Sequence, residues 1–92
     1  MVLDKLIKEG EEIENEASEG MVGKFFESVK FEAWVSKSVL YLEKNHNKSS
    51  LTSKVIEKNK KLSSNNNYEF YQFLLGTLRA IKESEDDEIL TV

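Results

Sequence analysis

Residues 70–81, FYQFLLGTLRAI, carry the pattern that decides the fold. Apolar or small side chains recur there every three or four positions, which is the period of an amphipathic helix. One stripe is formed by Phe70, Leu74, Thr77, Leu78 and Ile81, and an adjoining stripe by Tyr71, Leu75 and Ala80. This pattern predicts a helix over residues 67–84.

The ends of this helix carry signals of their own. Asn66 and Glu69 stand three residues apart at its start and resemble a capping box with Asn in place of Ser or Thr. The acidic run from Glu85 to Glu88 opposes the helix macrodipole at the other end. We therefore expect the helix to give way to an acidic tail over residues 85–92, with Ile89, Leu90 and Val92 as a loose apolar end.

A second helix is predicted over residues 27–46, with Ser28 as a candidate N-cap. It carries two apolar lines: Phe31, Val35, Val39, Leu42 and His46 form one, and Trp34 and Tyr41, seven residues apart, form the other. Two apolar lines mean two buried sides. Such a helix lies at the centre of a bundle or gives one side to a partner chain.

Two weaker patterns complete the prediction. A first helix is predicted over residues 2–18, where apolar residues and Gly10 share one face. Glycine in a helix costs about 1 kcal/mol relative to alanine unless a neighbour packs closely there. A third helix is predicted over residues 51–62, after a serine cap, although this stretch has few apolar positions. Gly20 and Gly23 bracket a turn between the first two helices. No alternating run bounded by a hairpin turn is found, so no sheet is predicted.

The composition limits the class of protein. Ninety-two residues without cysteine or proline, 33% of them charged, make one helix-rich domain that is too charged to span a membrane. The start of the chain has no apolar signal region, which predicts a cytoplasmic protein. The expected architecture is all-α: a compact four-helix bundle with mostly antiparallel packing.

Charge is distributed in three blocks. Residues 1–20 have a net charge of −5, residues 21–64 of +5 and residues 65–92 of −4. Two arrangements are open. Either the acidic ends fold against the basic centre and the blocks neutralise one another, or the basic centre stays accessible to an acidic partner.

No residue pattern indicates an enzyme. His46 is the only histidine and no nucleophile motif accompanies it, so a structural role at a helix C-terminus is the simpler interpretation. With one histidine and no cysteine, a metal site would depend on carboxylates, and the run Glu85 to Glu88 lacks the ligand spacing of a calcium loop. We expect no metal, no cofactor and no small-molecule substrate.

Nucleic-acid binding has one candidate surface. Lys54, Lys58 and Lys61 share a face of the third helix and could contact two or three phosphates. The net charge of −4 opposes this role, so nucleic acid is not the favoured partner. An acidic inhibitor that mimics DNA is a further alternative, which fits the net charge but not the basic centre.

The favoured function is a non-enzymatic interaction or self-association module, and a homodimer is one form it could take. Aromatic residues supply much of the binding energy of interfaces. The candidate partner-binding residues are Trp34, Tyr41, Phe25 and Phe26. Such residues more often lie in the core, and one of the two aromatic lines is expected to be buried within the bundle while the other is the candidate contact with another chain.

Three stretches carry a family resemblance: LIKEGEEI at residues 6–13, FEAWVSKSVLYLEKN at 31–45 and LGTLRAIKE at 75–83. Over most of residues 3–84 the chain resembles a small helical module attached to prokaryotic TIR-like and other defence-associated proteins. The resemblance implies an all-helical accessory domain for association or signalling that flanks an effector domain. It carries over no catalytic residue.

Overall fold

The computed structural model describes residues 2–21 and 23–91, the last of them, 86–91, by their backbone. Within these residues the chain forms four α-helices and one two-stranded sheet. The helices are α1 (Val2–Ile13), α2 (Val29–Asn45), α3 (Ser50–Lys60) and α4 (Asn67–Thr91), and the strands are β1 (Ser18–Gly20) and β2 (Gly23–Phe25). The predicted mostly helical fold is confirmed, whereas the sheet is an addition that the sequence did not predict.

The helices depart from their predicted bounds mainly at two ends. After α1 ends at Ile13, the chain tightens into a 3₁₀ turn, Glu14–Glu16, and becomes extended at Ala17. At the other end α4 stays helical through Thr91, where a tail was predicted from residue 85. The predicted apolar end, Ile89, Leu90 and Val92, lies outside the described side chains. α2 and α3 begin and end within two residues of the prediction.

Side-chain caps explain where α2 and α3 begin. The hydroxyl of Ser28 accepts a hydrogen bond from the Phe31 amide at 3.1 Å, and the hydroxyl of Ser49 accepts one from the Leu51 amide at 3.2 Å. Each therefore satisfies one of the amides that a helix start leaves unpaired. The predicted serine caps are confirmed.

The predicted capping box at the start of α4 takes another form. The side chain of Asn66 accepts from the Ser63 amide at 2.8 Å and donates to the Lys61 carbonyl at 2.9 Å. These bonds hold the preceding loop, so Asn66 orders the α3–α4 connection instead of pairing reciprocally with Glu69.

The connection between α1 and α2 is a β-hairpin. β1 and β2 pair antiparallel, with Ser18 opposite Phe25 and Gly20 opposite Gly23. Gly23 has φ of +133°, a conformation that residues with a Cβ rarely adopt. Met21 at the turn is fully exposed. The sequence predicted only a turn at Gly20 and Gly23, and the structure shows that these two residues form the last pair of a short hairpin.

The helices pack in a ring: α1 contacts α2 and α4, and α3 contacts the same two helices. Four ion pairs join acidic residues of α1 and of the 3₁₀ turn after it to the neighbouring helices: Glu16 of the turn to Lys30 and Glu9 to Lys37 on α2, and Glu11 to Arg79 and Asp4 to Lys82 on α4. Residue numbers fall along α1 as they rise along both neighbours, so α1 is antiparallel to each. The first acidic block therefore pairs with individual basic side chains of both neighbouring helices, although α4 itself carries more acidic than basic residues.

Aromatic rings fill the centre of this arrangement and fix α1 in place. Trp34 of α2 donates its indole N–H to the Leu6 carbonyl, and Tyr71 of α4 donates its hydroxyl to the Gly10 carbonyl, both at 2.8 Å. The two rings lie 5.5 Å apart between centroids. Any Cβ on Gly10 would stand 2.6 Å from Trp34 Cζ2, so the glycine permits this close packing.

One side chain joins the hairpin to α4. The buried amide of Asn67 accepts from the Phe26 N–H at 2.9 Å and donates to the Phe26 carbonyl at 2.8 Å. Asn67 thereby satisfies both backbone groups of a residue 41 positions away. Phe26 stacks on Phe31 with ring centroids 4.5 Å apart, and this packing closes the core beneath the hairpin.

Among the described residues, no helix is both long enough and apolar enough to cross a membrane.

Candidate functional site

A groove of about 660 Å³ runs between the start of α1 and the end of α2. Its lining side chains are mostly aliphatic or aromatic at the floor and charged at the rim. They are Val2, Leu3, Lys5, Leu6 and Glu9 from α1, and Lys37, Leu40, Tyr41, Lys44 and Asn45 from α2. We call this set the α1/α2 groove.

Two aliphatic side chains at the α1/α2 groove are exposed to an unusual degree. Val2 is 62% exposed and Leu40 is 67% exposed, while Leu3 and Leu6 beneath them are buried. Leu40 lies off both apolar lines of α2, so the packing of the bundle does not require an aliphatic residue there. Exposed apolar residues that adjoin a groove are typical of a protein-interaction site.

Tyr41 forms the half-buried end of the α1/α2 groove. Burial raises the pKa of its hydroxyl, and the neighbouring Glu85 carboxylate raises that pKa further. The ring lies 5.7 Å from the ring of His46, whose Nε2 is 3.0 Å from Glu85 Oε2. The His46–Glu85 contact attaches the end of α2 to α4 beside the Tyr41 ring.

The rim of the α1/α2 groove is positively charged. Glu9 is paired with Lys37 at 2.7 Å. Lys5 and Lys44 are exposed, and within the described residues neither has an ion-pair partner. The groove also opens at the N-terminal end of α1, where the helix dipole is positive. An apolar floor between two unneutralised lysines favours a ligand that is both aliphatic and acidic.

The structure corrects two of the four predicted partner-binding residues. Trp34 is 0% exposed and Phe26 is 3% exposed. Both lie in the aromatic core, so neither can contact a partner in this conformation. Phe25 is half-buried on β2, where its ring packs over Gly20. Of the four, only Tyr41 lines the α1/α2 groove.

The three lysines of the alternative site lie on α3 and at its end, and all three are exposed. The Nζ of Lys58 is 5.1 Å from the centroid of the Phe73 ring, a cation–π contact with α4. Within the described residues, Lys54 and Lys61 make no ion pair. They leave a basic surface away from the α1/α2 groove.

His46 and the carboxylates do not assemble a chemical centre in the described part of the chain. No group of three or more His, Asp or Glu side chains there could hold a metal ion. The His46 ring packs against Tyr41 of its own helix, and its Nε2 lies 3.0 Å from Glu85 of α4, so it connects the end of α2 to α4.

Among the residues of the groove, sequence reasoning assigned only Tyr41 to a partner-binding surface, and it missed the exposed Val2 and Leu40. One signal was present for Leu40, because a leucine outside both apolar lines of α2 has no role in the core. Val2 carried no such signal, since its exposure depends on where α1 begins.

Comparison of the chain with models of protein families, with curated proteins and with solved structures finds no match. The resemblance to the defence-associated helical module therefore depends on the three quoted stretches alone.

Proposed function

We propose that this chain is a non-enzymatic protein-interaction module, and that the α1/α2 groove binds an acidic amphipathic helix of a partner. The observation that carries the proposal is the exposure of Val2 and Leu40 between Lys5 and Lys44. Burial of two such side chains contributes roughly 1.5–3 kcal/mol each, so a few contacts of this kind support a moderate affinity.

The rigidity of the groove supports this role. α1 is held from two sides by Trp34 and Tyr71, and the end of α2 is attached to α4 through His46 and Glu85. A preformed groove loses little conformational entropy on binding, which favours affinity. In this proposal the four helices act as one compact, mostly antiparallel bundle whose hairpin is an accessory.

The partner's charge follows from the rim. Lysines at the edge of an interface steer an acidic partner and exclude a basic one. A cytoplasmic role in prokaryotic or phage defence would agree with the sequence resemblance over residues 3–84. In such a role the module would bring another protein to an effector domain.

The test uses two synthetic helical peptides that share one leucine stripe. One carries glutamate on the flanking positions, and its matched control carries lysine there. In ¹⁵N–¹H NMR titration, the acidic peptide should shift the amide signals of Lys5, Leu40 and Lys44, and the basic peptide should not. Equal binding of both peptides, or shifts confined to α3 and the hairpin, would contradict the proposal.

A second candidate function, weak nucleic-acid binding, is favoured by the exposed lysines on the other side of the molecule. Replacing Lys54, Lys58 and Lys61 together by Gln separates the two functions. The triple variant should bind the acidic peptide with unchanged affinity. If the wild type retards short DNA or RNA in gels at low salt and the variant does not, the basic α3 surface is the functional one.

A further inference from the structure

We propose that the natural occupant of the α1/α2 groove is residues 86–92 of a second copy of this chain, so that two copies form a dimer by exchanging these segments. The inference depends on the function proposed above and names the partner of the same groove.

The chemistry of the segment matches that of the groove. Residues 86–92 read DDEILTV, so three carboxylates directly precede two large aliphatic residues. The α1/α2 groove presents Lys5 and Lys44 beside the exposed Val2 and Leu40. Two of the three carboxylates can thus meet Lys5 and Lys44 while Ile89 and Leu90 cover the aliphatic floor.

The course of α4 carries the segment past the end of the bundle at which the α1/α2 groove lies. Lys82 is paired with Asp4 near the start of α1, and Glu85 lies beside His46 at the end of α2. Because α4 is antiparallel to α1 and stays helical through Thr91, residues 86–91 continue for about 9 Å past both helix ends. A helix with this direction can reach a groove on another copy without unwinding.

Helix dipoles give a further reason for the exchange. Carboxylates near the C-terminus of α4 oppose its dipole, which is unfavourable in a single copy. In the groove of a second copy they would meet two lysines and the positive end of α1. Binding therefore removes an unfavourable interaction as well as covering apolar surface.

The dimer is tested by sedimentation equilibrium over a dilution series of the full chain. We expect a monomer–dimer equilibrium, and we expect Leu40→Asp to weaken it at least about tenfold. Val29→Asp is the matched control, since Val29 is 83% exposed and lies outside the groove. It should leave the dissociation constant unchanged. Circular dichroism confirms that both variants fold.

The segment is tested in the same way. The double variant I89D/L90D should weaken dimerisation as much as Leu40→Asp. When the groove variant is mixed with this segment variant, one intact groove can still receive one intact segment. Association should therefore return in the mixture although each variant alone is monomeric.

The outcomes separate the two proposals. A monomer at all concentrations, with the acidic peptide still bound, overturns the exchange and leaves the proposed function standing. A dimer that Leu40→Asp weakens but I89D/L90D does not shows that the segment is not the occupant, and this too overturns the exchange. A dimer that Leu40→Asp leaves unchanged is formed through another surface and overturns the exchange, whereas loss of binding of the acidic peptide to the wild type would contradict the proposed function as well.

Discussion

Trp34 and Tyr41 lie seven residues apart on the same side of α2, yet one is completely buried and the other is half-exposed. Trp34 faces the middle of α1, where Leu6 accepts its hydrogen bond and Gly10 leaves room for its ring. Tyr41 faces the beginning of α1, which covers it only in part. How deeply an aromatic side chain on this side of α2 is buried therefore depends on how far α1 extends alongside it.

The strongest test of this difference removes each ring in turn. Trp34→Ala should lower the free energy of unfolding by about 3–5 kcal/mol, because it opens a cavity in the core. Tyr41→Ala should cost about 1 kcal/mol, since its ring is partly solvated. Urea denaturation followed by circular dichroism measures both. Equal losses in the free energy of unfolding would mean that the fold buries both rings to the same extent.

Substitution of Gly10 tests the packing of Trp34 against α1. Gly10→Ala should lower the free energy of unfolding by about 1–3 kcal/mol, because the new methyl group would overlap Trp34. This loss is expected although alanine favours a helix by about 1 kcal/mol.

Gly76→Ala in α4 is the matched control for this substitution. No atom outside its own helix backbone lies within 4 Å of the new Cβ. The variant should therefore be stabilised by up to about 1 kcal/mol. Thermal unfolding distinguishes the two variants by the sign of the change in Tm. A stabilised Gly10→Ala would show that Trp34 does not pack against this position.

The smallest effect concerns pH. Burial, with a smaller contribution from Glu14, raises the pKa of Tyr71 from 10 to about 12. The protonated hydroxyl is thus favoured in the folded chain. Its contribution to stability is complete below pH 10 and is lost as the pH rises through about 12.

Tyr71→Phe isolates this contribution. At pH 7 it should cost about 1–2 kcal/mol, because the Gly10 carbonyl loses its side-chain donor. Between pH 10 and 12 the free energy of unfolding should fall less steeply in the variant than in the wild type. Parallel pH profiles would contradict the assignment to Tyr71.

Much of the helical fold could be predicted from local patterns. The stripe of α4, the double line of α2 and the serine caps depend on residues within a few positions of one another. The hairpin could not be predicted in this way. Its strands are three residues long and contain no β-branched residue, and their pairing depends on the backbone freedom of Gly23 and on support from Asn67.

The candidate site was predictable only in part. Tyr41 was among the predicted partner-binding residues and lines the groove. The sequence could not distinguish it from the buried Trp34 and Phe26, because the spacing of apolar residues does not show how far a neighbouring helix extends over them. The charge blocks left open whether the acidic start of the chain folds against the basic centre, and α1 in fact pairs with Lys37 of the basic block as well as with Arg79 and Lys82 of the acidic last block. They could not indicate that Lys5 and Lys44 would remain without partners among the described residues.

The double hydrogen bond between Asn67 and Phe26 has a consequence for the order of folding. One side-chain amide closes a loop of the chain that contains all of α2 and α3, so its two hydrogen bonds join residues that only the tertiary fold brings together. Protection of the Phe26 amide against deuterium therefore reports the completed tertiary structure, in contrast to amides bonded within a single helix, whose protection can also report local helix formation.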